Sequence, residues 1–595
     1  MPHSAPGLDA VTTMGGFLLV LSLVVPVAGV LVAFVAGGRH VERVAFVTMP
    51  LGFAIAVAIL IALWRTGGPL AYLLGGWTPP LGVALRADGL SAVMMMTTAV
   101  VICAVGVFAH VDFRTPPGSV EARAPFAFWI LLLGIWGALN TVFLGGDLFT
   151  LYVALELVTF AAVPLVCLDG RAETLQAALR YLLFALLGSA LYLVGTALLY
   201  GAYGTLDIVL LSHRVHAEPA TLVAAALMTV GLLAKTALFP LHLWLPPAHA
   251  GAPAAASAVL SALVVKGSFF IVVRLWFDVM PGLPGFAAAQ LLAAFGAAAI
   301  VFGSVIALRQ ERLKLVIAYS TLAQIGYLFL MFPLAFDPGS ASLQSGGALT
   351  GGMLQAISHA TAKAAMFMAA GLIYAGLGQD RIAGLAGVGR ALPMSVLAFA
   401  LGGVALIGVP PSGAYLAKEL LLQAAVEAKE WWWTVVIQAG GIFTSSYVLV
   451  VLAHALLPAG EPVRLRVAVP LYQEAAALAL ALCSLLLGLV PWEAFLPVPR
   501  SIPSYPLALE ALANALWPIL AGGLLAIVLG RWGPQLMHIP FGKVLVAIVG
   551  PARRTVLALG GMLEQVDGML RQWPAAGLSL LVLAILFGAV MLAAR

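Results

Sequence analysis

Charge is what this sequence has least of. Of its 595 residues, 63% are hydrophobic and only 9% are Asp, Glu, Lys or Arg. A soluble domain carries about 25% charged residues, so a water-solvated globular surface is excluded. Cysteine is scarce as well. Cys103, Cys167 and Cys483 each stand alone in an apolar run, without a CxxC or a Cys/His cluster, so no iron–sulfur or zinc centre is indicated, and they read as buried apolar-like side chains. The alternating segments of about 10 residues that build a membrane barrel are missing. The net charge of +5 is spread over loops and is no nucleic-acid footprint. No quinone, flavin, metal or nucleotide motif is visible, so no cofactor is expected and any driving force must come from partner subunits or an ion gradient.

What the sequence has is long apolar runs. A helix needs about 20 apolar residues to cross a bilayer, and such runs fall near 14–37, 44–64, 90–110, 125–145, 148–168, 177–200, 221–239, 254–277, 286–307, 313–334, 350–377, 394–411, 433–457, 469–490, 508–530 and 576–594. That pattern predicts an all-α polytopic membrane protein of some sixteen spans. The first run has no basic region before it and no clear small-residue cleavage site, so it reads as a retained helix, not a signal peptide. With the N-terminus outside and the spans alternating, seventeen of the 29 Lys and Arg fall in inside loops and six in outside segments, as the positive-inside rule requires. Lys314 counts among the loop residues, and Arg180 and Arg274, near span ends, are expected to snorkel. The chain divides into N-terminal spans (1–124), two blocks of five spans (125–277 and 286–457), C-terminal spans (469–530), a segment at 531–575 and a last span (576–595). The 531–575 segment mixes apolar positions with Lys543, Arg553, Arg554, Glu564 and Asp567, and reads as amphipathic helix on the membrane surface or a neighbouring subunit, or else as a connector.

Against this background a few ionisable residues lie where a bilayer should not tolerate them. Glu156 sits mid-span in "LFTLYVALELVTFAAVPLV", Lys235 in "LLAKTALFPLHLWLPPAH" and Lys266 in "SAVLSALVVKGSFFIVV". His359 and Lys363 lie four apart in "AISHATAKAAMF", on one helical face, and Lys418 and Glu419 follow "VPPSGAYLA". A charge at a helix centre costs about 2.5–3.5 kcal/mol on insertion scales, so these groups must be paired, hydrated or neutral. Singly, each has a structural reading: Glu156 and Lys235 as a helix-orienting ion pair, His359 as a bonded interior histidine, Lys418 and Glu419 as a wet helix end. Together, Lys, His and Lys in sequence outline a proton relay, in which a moving carboxylate partner switches a lysine between holding and releasing its proton.

Proline marks two interruptions beside these lysines. Pro240, Pro246 and Pro247 follow Lys235, and Pro410, Pro411 and Gly413 precede Lys418. Proline removes a backbone donor, and unpaired backbone at membrane depth is tolerated only inside protein or along a wet cavity. Two such breaks about 170 residues apart suggest related halves, and an odd block length of five gives the halves opposite orientation.

Four stretches carry a family resemblance: "AKTALFPLHLWLPPAHAGAPAAASAVLSALVVKG", "RLKLVIAYSTLAQIGYL", "SHATAKAAMFMAAGLI" and "GVPPSGAYLAKELLL". They resemble the antiporter-like proton-translocating subunits of respiratory complex I, of group 4 hydrogenases such as formate hydrogenlyase, and of Mrp-type multisubunit sodium/proton antiporters, over about residues 85–460. The resemblance implies a fourteen-helix core with broken seventh and twelfth helices. It also implies that Glu156 and Lys235 are the gating pair, that Lys266, His359 and Lys363 form the central relay, that Lys418 is the terminal site and that His249 is the histidine after the first break. Some members carry glutamate at the twelfth-helix position, where this chain has lysine with Glu419 beside it. The stretch "RYLLFALLGSALYLVGTALLYGAYGTLDI" looks closer to the hydrogenase and Mrp-type branches.

The expectation is a proton-translocating subunit of a larger complex in the plasma (inner) membrane, N-terminus outside, with other membrane subunits and lipid as partners and no nucleic acid. Protons would enter near His249 and Lys266 or at Glu156–Lys235, and leave by Lys418. Two alternatives stand beside it. One is a sodium or potassium/proton antiporter module, for which a hard cation would need an oxygen cage. The other is a membrane docking subunit of a soluble enzyme such as an inorganic-carbon-uptake protein.

Overall fold

In lipid, every backbone N–H and C=O must find its partner within the chain, and a helix does this with local bonds alone. The apolar runs accordingly become helices. The computed structural model describes residues 12–116, 119, 121–336, 346–460, 462–497, 509–529, 554 and 558–593. The helices are α1 Phe17–Ala36, α2 His40–Thr66, α3 Gly89–Ala109, α4 Arg123–Leu144, α5 Leu148–Val166, α6 Ala172–Tyr203, α7 Ile208–Ser212, α8 Pro219–Thr236, α9 Leu245–Gly251, α10 Ala254–Val259 and α11 Val265–Val273. They continue as α12 Gly285–Arg309, α13 Leu313–Phe329, α14 Met331–Leu334, α15 Gly346–Leu377, α16 Val388–Ala391, α17 Pro393–Ile407, α18 Gly413–Glu427, α19 Trp431–Leu456, α20 Leu471–Leu486 and α21 Leu509–Leu529, with Trp573–Ala593 last. Among the described residues fourteen helices are long and apolar enough to cross a membrane, and Pro393–Ile407 and Ala511–Ile527 are shorter apolar ones. This is a multi-pass membrane protein.

Side-chain caps start several spans. Asp88 accepts from Ser91 N at 2.9 Å, Asp147 from Phe149 N and Thr150 N at 3.0 and 2.8 Å, and Ser412 from Tyr415 N at 3.1 Å; each satisfies an N–H that the first helical turn leaves free. One loop face carries a two-stranded antiparallel hairpin, β1 Leu70–Leu73 with β2 Ala84–Ala87 in register Leu70↔Ala87. On the opposite face Arg312 bonds the Asp380 carboxylate at 3.1 Å and Leu313 N donates to Asp380 O at 2.7 Å, tying the start of α13 to the end of α15.

The helices differ in what they face. The apolar window of Ala254–Val279 is wholly buried, whereas Phe17–Ala36 and Pro574–Ala593 are mostly exposed, as lipid-facing elements are. Packing at the centre relies on small residues. A Cβ on Gly188 would meet Gly231 O at 2.6 Å, so α6 and α8 touch backbone to backbone there, as small-residue interfaces in membranes allow.

Both Pro-marked interruptions are real breaks, though the prolines divide the labour. Helix α8 ends at Thr236, Ala237 adopts a left-handed conformation (φ 60°), and α9 resumes at Leu245 with Pro246 and Pro247 in its first turn. The gap is therefore 237–244, containing Pro240, while Pro246 and Pro247 start the next helix, where a missing N–H costs nothing. The second gap, 408–412, holds Pro410 and Pro411, and Gly413 opens α18. The segment expected to be amphipathic lies largely outside the described residues, but 558–570 is helical.

Candidate functional site

The first cluster forms where α5, α6 and α8 meet. Lys235 Nζ donates to Glu156 Oε1 and Thr159 Oγ1, both at 3.0 Å, and to Leu155 O at 3.3 Å. Ser189 donates to the same Glu156 oxygen. The side chains are 6% and 14% exposed, so removing one charge strands the other in a medium that solvates it poorly. The next residue, Thr236 at the end of α8, donates through Oγ1 to Ser268 Oγ at 3.0 Å, joining α8 to the buried central span.

The second cluster sits at the middle of that span. Its helix is loosened by a π-helical stretch, Leu260–Val264, immediately before Lys266. Such bulges occur often at functional sites, and this one turns carbonyls out of register: Lys266 Nζ donates to Ser261 O. The same amine is hydrogen-bonded to His359 Nδ1 from α15. Ser261 Oγ and Thr321 Oγ1 of α13 are 2.9 Å apart. Lys363, one turn after His359, donates to Ser320 Oγ and to Ile317 O, the latter at 3.3 Å. Lys266, His359 and Lys363 are each fully buried, and among the described residues none of them has a carboxylate partner. His249 is fully buried too. Its ring stacks on Phe367 at 4.7 Å, and neither ring nitrogen has a partner among the described residues.

Lys418 lies in the first turns of α18 and reaches back across the second gap, donating to Ile407 O at 2.6 Å, with its amine 5.4 Å from the Tyr327 ring centroid. Gly408 (φ +88°) makes room: a Cβ there would stand 3.0 Å from Lys418 Cδ. Glu419 is half-buried and forms no ion pair with Lys418. The structure thus brings together Glu156 with Lys235, and Lys266 with His359, while Glu419 and His249 stand apart from both pairs.

The sequence reading placed two groups, Lys314 and Arg274, differently from the structure, and it passed over a third, His242. Lys314, counted as a loop residue, is buried at the start of α13 and donates to Ala252 O at 3.0 Å. Arg274 does not snorkel: it bonds Asp88 at 2.6 Å and Asp278 at 2.6 Å, in a second π-helical stretch, Arg274–Val279. His242, inside the first gap, bonds Asp567 of the 558–570 helix at 3.2 Å. A cavity of about 890 Å³ opens on the face of Arg171 and Arg312, lined by Asp112, Lys314, Tyr319, Tyr374 and the α9 residues flanking His249. Burial pushes the Asp112 carboxyl above its ordinary range, partly offset by Gln473 and Lys314.

A helical bundle of this length, with two broken helices and a buried lysine–histidine axis between them, defines a multi-pass membrane protein with ionisable groups in its interior. The family described as "NADH:quinone oxidoreductase/Mrp antiporter, TM" matches residues 145–444, and the chain belongs to it. A relative, NADH-quinone oxidoreductase subunit N of Desulforudis audaxviator (strain MP104C), is 32% identical over 68% of this chain and 81% of its own length. Among solved structures, a chain of the Mrp complex from Dietzia sp. DQ12-45-1b matches at TM-score 0.71 and 24% identity, over 86% of this chain and 96% of that one, which speaks for the fold. A chain of the membrane-bound sulfane sulfur reductase, an archaeal respiratory membrane complex, matches at TM-score 0.70 and 25% identity, over 85% and 99%. These similar chains are subunits of multisubunit membrane complexes.

Proposed function

We propose that the chain is the proton-translocating subunit of a multisubunit membrane complex, and that protons pass along Glu156–Lys235, Lys266–His359, Lys363 and Lys418. The observation that carries this reading is the Lys266–His359 contact. A fully buried amine and imidazole share a hydrogen bond with no carboxylate beside them, and two cations there would repel without screening. The pair therefore holds fewer protons than two free groups would, and a proton arriving from one side displaces one to the other. The Glu156–Lys235 ion pair supplies the gate: closed, it keeps the Lys235 proton, and opened, it lets the desolvated amine release it.

In this reading 125–277 and 286–457 are the two inverted halves, the N-terminus lies outside, and the cavity flanking His249 is the uptake mouth on the inner face. The test uses the complex isolated through this chain and reconstituted in vesicles energised by the complex's own reaction. Lys235→Ala and Glu156→Gln are each expected to lower coupled proton flux at least tenfold while the complex still assembles. Undiminished flux in both sinks the reading. Flux that depends on sodium or potassium in place of a redox donor turns it into the antiporter alternative.

A further inference from the structure

Among the described residues no Lys, His, Asp or Glu side chain lies between Lys363 and Lys418 on the axis, yet the space is not apolar. Helices α13 and α19 face each other there with a stripe of hydroxyls and amides. Lys363 donates to Ser320 Oγ, and Gln324 follows one turn later on the same face of α13. Gln324 Nε2 donates to Thr444 Oγ1 at 3.0 Å and to Tyr447 Oη at 3.3 Å. At the far end the Tyr327 hydroxyl donates to Ile437 O at 3.2 Å, and the Lys418 amine lies 5.4 Å from the Tyr327 ring centroid. Ser320, Gln324 and Tyr327 are wholly buried, and Thr444 and Tyr447 are 1% exposed.

The spacing is built in. Residues 320, 324 and 327 share one face of α13, and 440, 444 and 447 one face of α19. At 1.5 Å rise per residue the stripe on α13 spans about 10 Å. Two glycines open its end. A Cβ on Gly440 would collide with the Tyr327 hydroxyl, and one on Gly441 would lie 3.6 Å from Lys418 Nζ.

We propose that this stripe is the proton bridge between Lys363 and Lys418, with Ser320, Tyr447 and Thr444 as transferring hydroxyls and Gln324 as the positioning residue. The inference rests on the translocation reading above. A hydroxyl both donates and accepts, so each one takes a proton on a lone pair and passes its own to the next. The amine of Lys363 loses one proton and that of Lys418 gains one, the last hop from Thr444 passing through a water in the space that Gly440 and Gly441 leave open, and rotation of the hydroxyls resets the chain. An amide does not titrate, so Gln324 holds Tyr447 and Thr444 in register. Gln355 Nε2 in turn donates to Gln324 Oε1 at 2.8 Å, while Gln355 Oε1 is buried with no protein donor. A buried acceptor calls for a donor, and a water there would extend the chain.

The bridge is tested in the reconstituted complex with Tyr447→Phe, Ser320→Ala, Gln324→Leu and Gln324→His, beside Lys363→Ala. Expected are a fall of tenfold or more in proton flux for Tyr447→Phe and Gln324→Leu, at least partial recovery in Gln324→His, which keeps a donor and acceptor, and a larger solvent deuterium effect on flux in Ser320→Ala. Assembly yield and thermal midpoint should stay near wild type, which a purely structural role for these residues would not predict. If Tyr447→Phe and Gln324→Leu both transport normally while Lys363→Ala does not, protons cross elsewhere and the bridge is overturned. Equal flux in Lys363→Ala removes the translocation reading itself. Should Tyr447→Phe fail to assemble, the contrast between Gln324→Leu and Gln324→His decides: equal flux in the two overturns the proposal.

Discussion

At the scale of the residue, a lysine is positioned as much by what is left out around it as by its partners. Gly408 occupies φ +88°, where a side chain strains the backbone by about 1–2 kcal/mol, and its missing Cβ is the space that the Lys418 stem fills. Gly408→Ala should therefore destabilise the second break by about 1–2 kcal/mol and push Lys418 off Ile407 O. The expected result is a lower thermal midpoint of the purified protein together with reduced proton flux. A midpoint and flux equal to wild type would show that the break accommodates a methyl group. The lysines themselves stood out in the sequence because a charge in an apolar run has no cheap alternative. Their neutral neighbours did not. Ser320, Gln324 and Tyr327 all lie within the recognised "RLKLVIAYSTLAQIGYL", but serine and glutamine cost little in a helix and signal nothing until α19 is packed against α13.

At the scale of the element, the sixteen apolar runs became helices at nearly the expected bounds, because lipid allows a spanning segment little else. The π-helical stretches beside Lys266 and at Arg274 were not legible, since one extra residue in a turn depends on what the surrounding helices press against it. Nor could spacing show that 558–570 would dock on the first break. Asp567 there accepts from Tyr319 Oη at 2.8 Å, meets Arg571 at 2.6 Å and bonds the buried His242, while Arg309 pairs with Glu564 at 2.8 Å. Burial alone would raise the Asp567 carboxyl, but the His242 and Tyr319 hydrogen bonds and the Arg571 charge hold it below the ordinary carboxylate range. A depressed folded-state value stabilises the docked form fully above the unfolded carboxylate value near ~3.9 and loses that contribution as pH falls through the lower, folded value. Hydrogen exchange of 558–570, corrected for its intrinsic pH dependence, should thus be flat from pH 8 to 5 and rise only below about pH 4. Asp567→Leu leaves the buried His242 unmatched, at about 1–3 kcal/mol, takes the acceptor from the Tyr319 hydroxyl, which Arg571 still contacts, and should speed that exchange at neutral pH. Unchanged exchange would mean that the helix is held by other contacts.

At the scale of the whole molecule, the two loop faces carry different structures. Arg171, Arg312 and Arg381 share one face with the cavity and with the Arg312–Asp380 tie, whereas the β1–β2 hairpin marks the other. An excess of Lys and Arg on one side orients a polytopic chain with that side toward the cytoplasm, and the proposed orientation, N-terminus outside, puts the cavity face there. Exposed positions on each face allow a direct reading. In a background with Cys103, Cys167 and Cys483 replaced by serine, Ser119→Cys lies on the basic face and Glu218→Cys on the hairpin face, and both parent residues are exposed. A membrane-impermeant maleimide applied to intact cells should label Glu218→Cys and leave Ser119→Cys unlabelled until the membrane is permeabilised. The reverse pattern would invert the chain, turn the cavity beside His249 from an uptake mouth into an exit, and run the path from Lys418 towards Lys235.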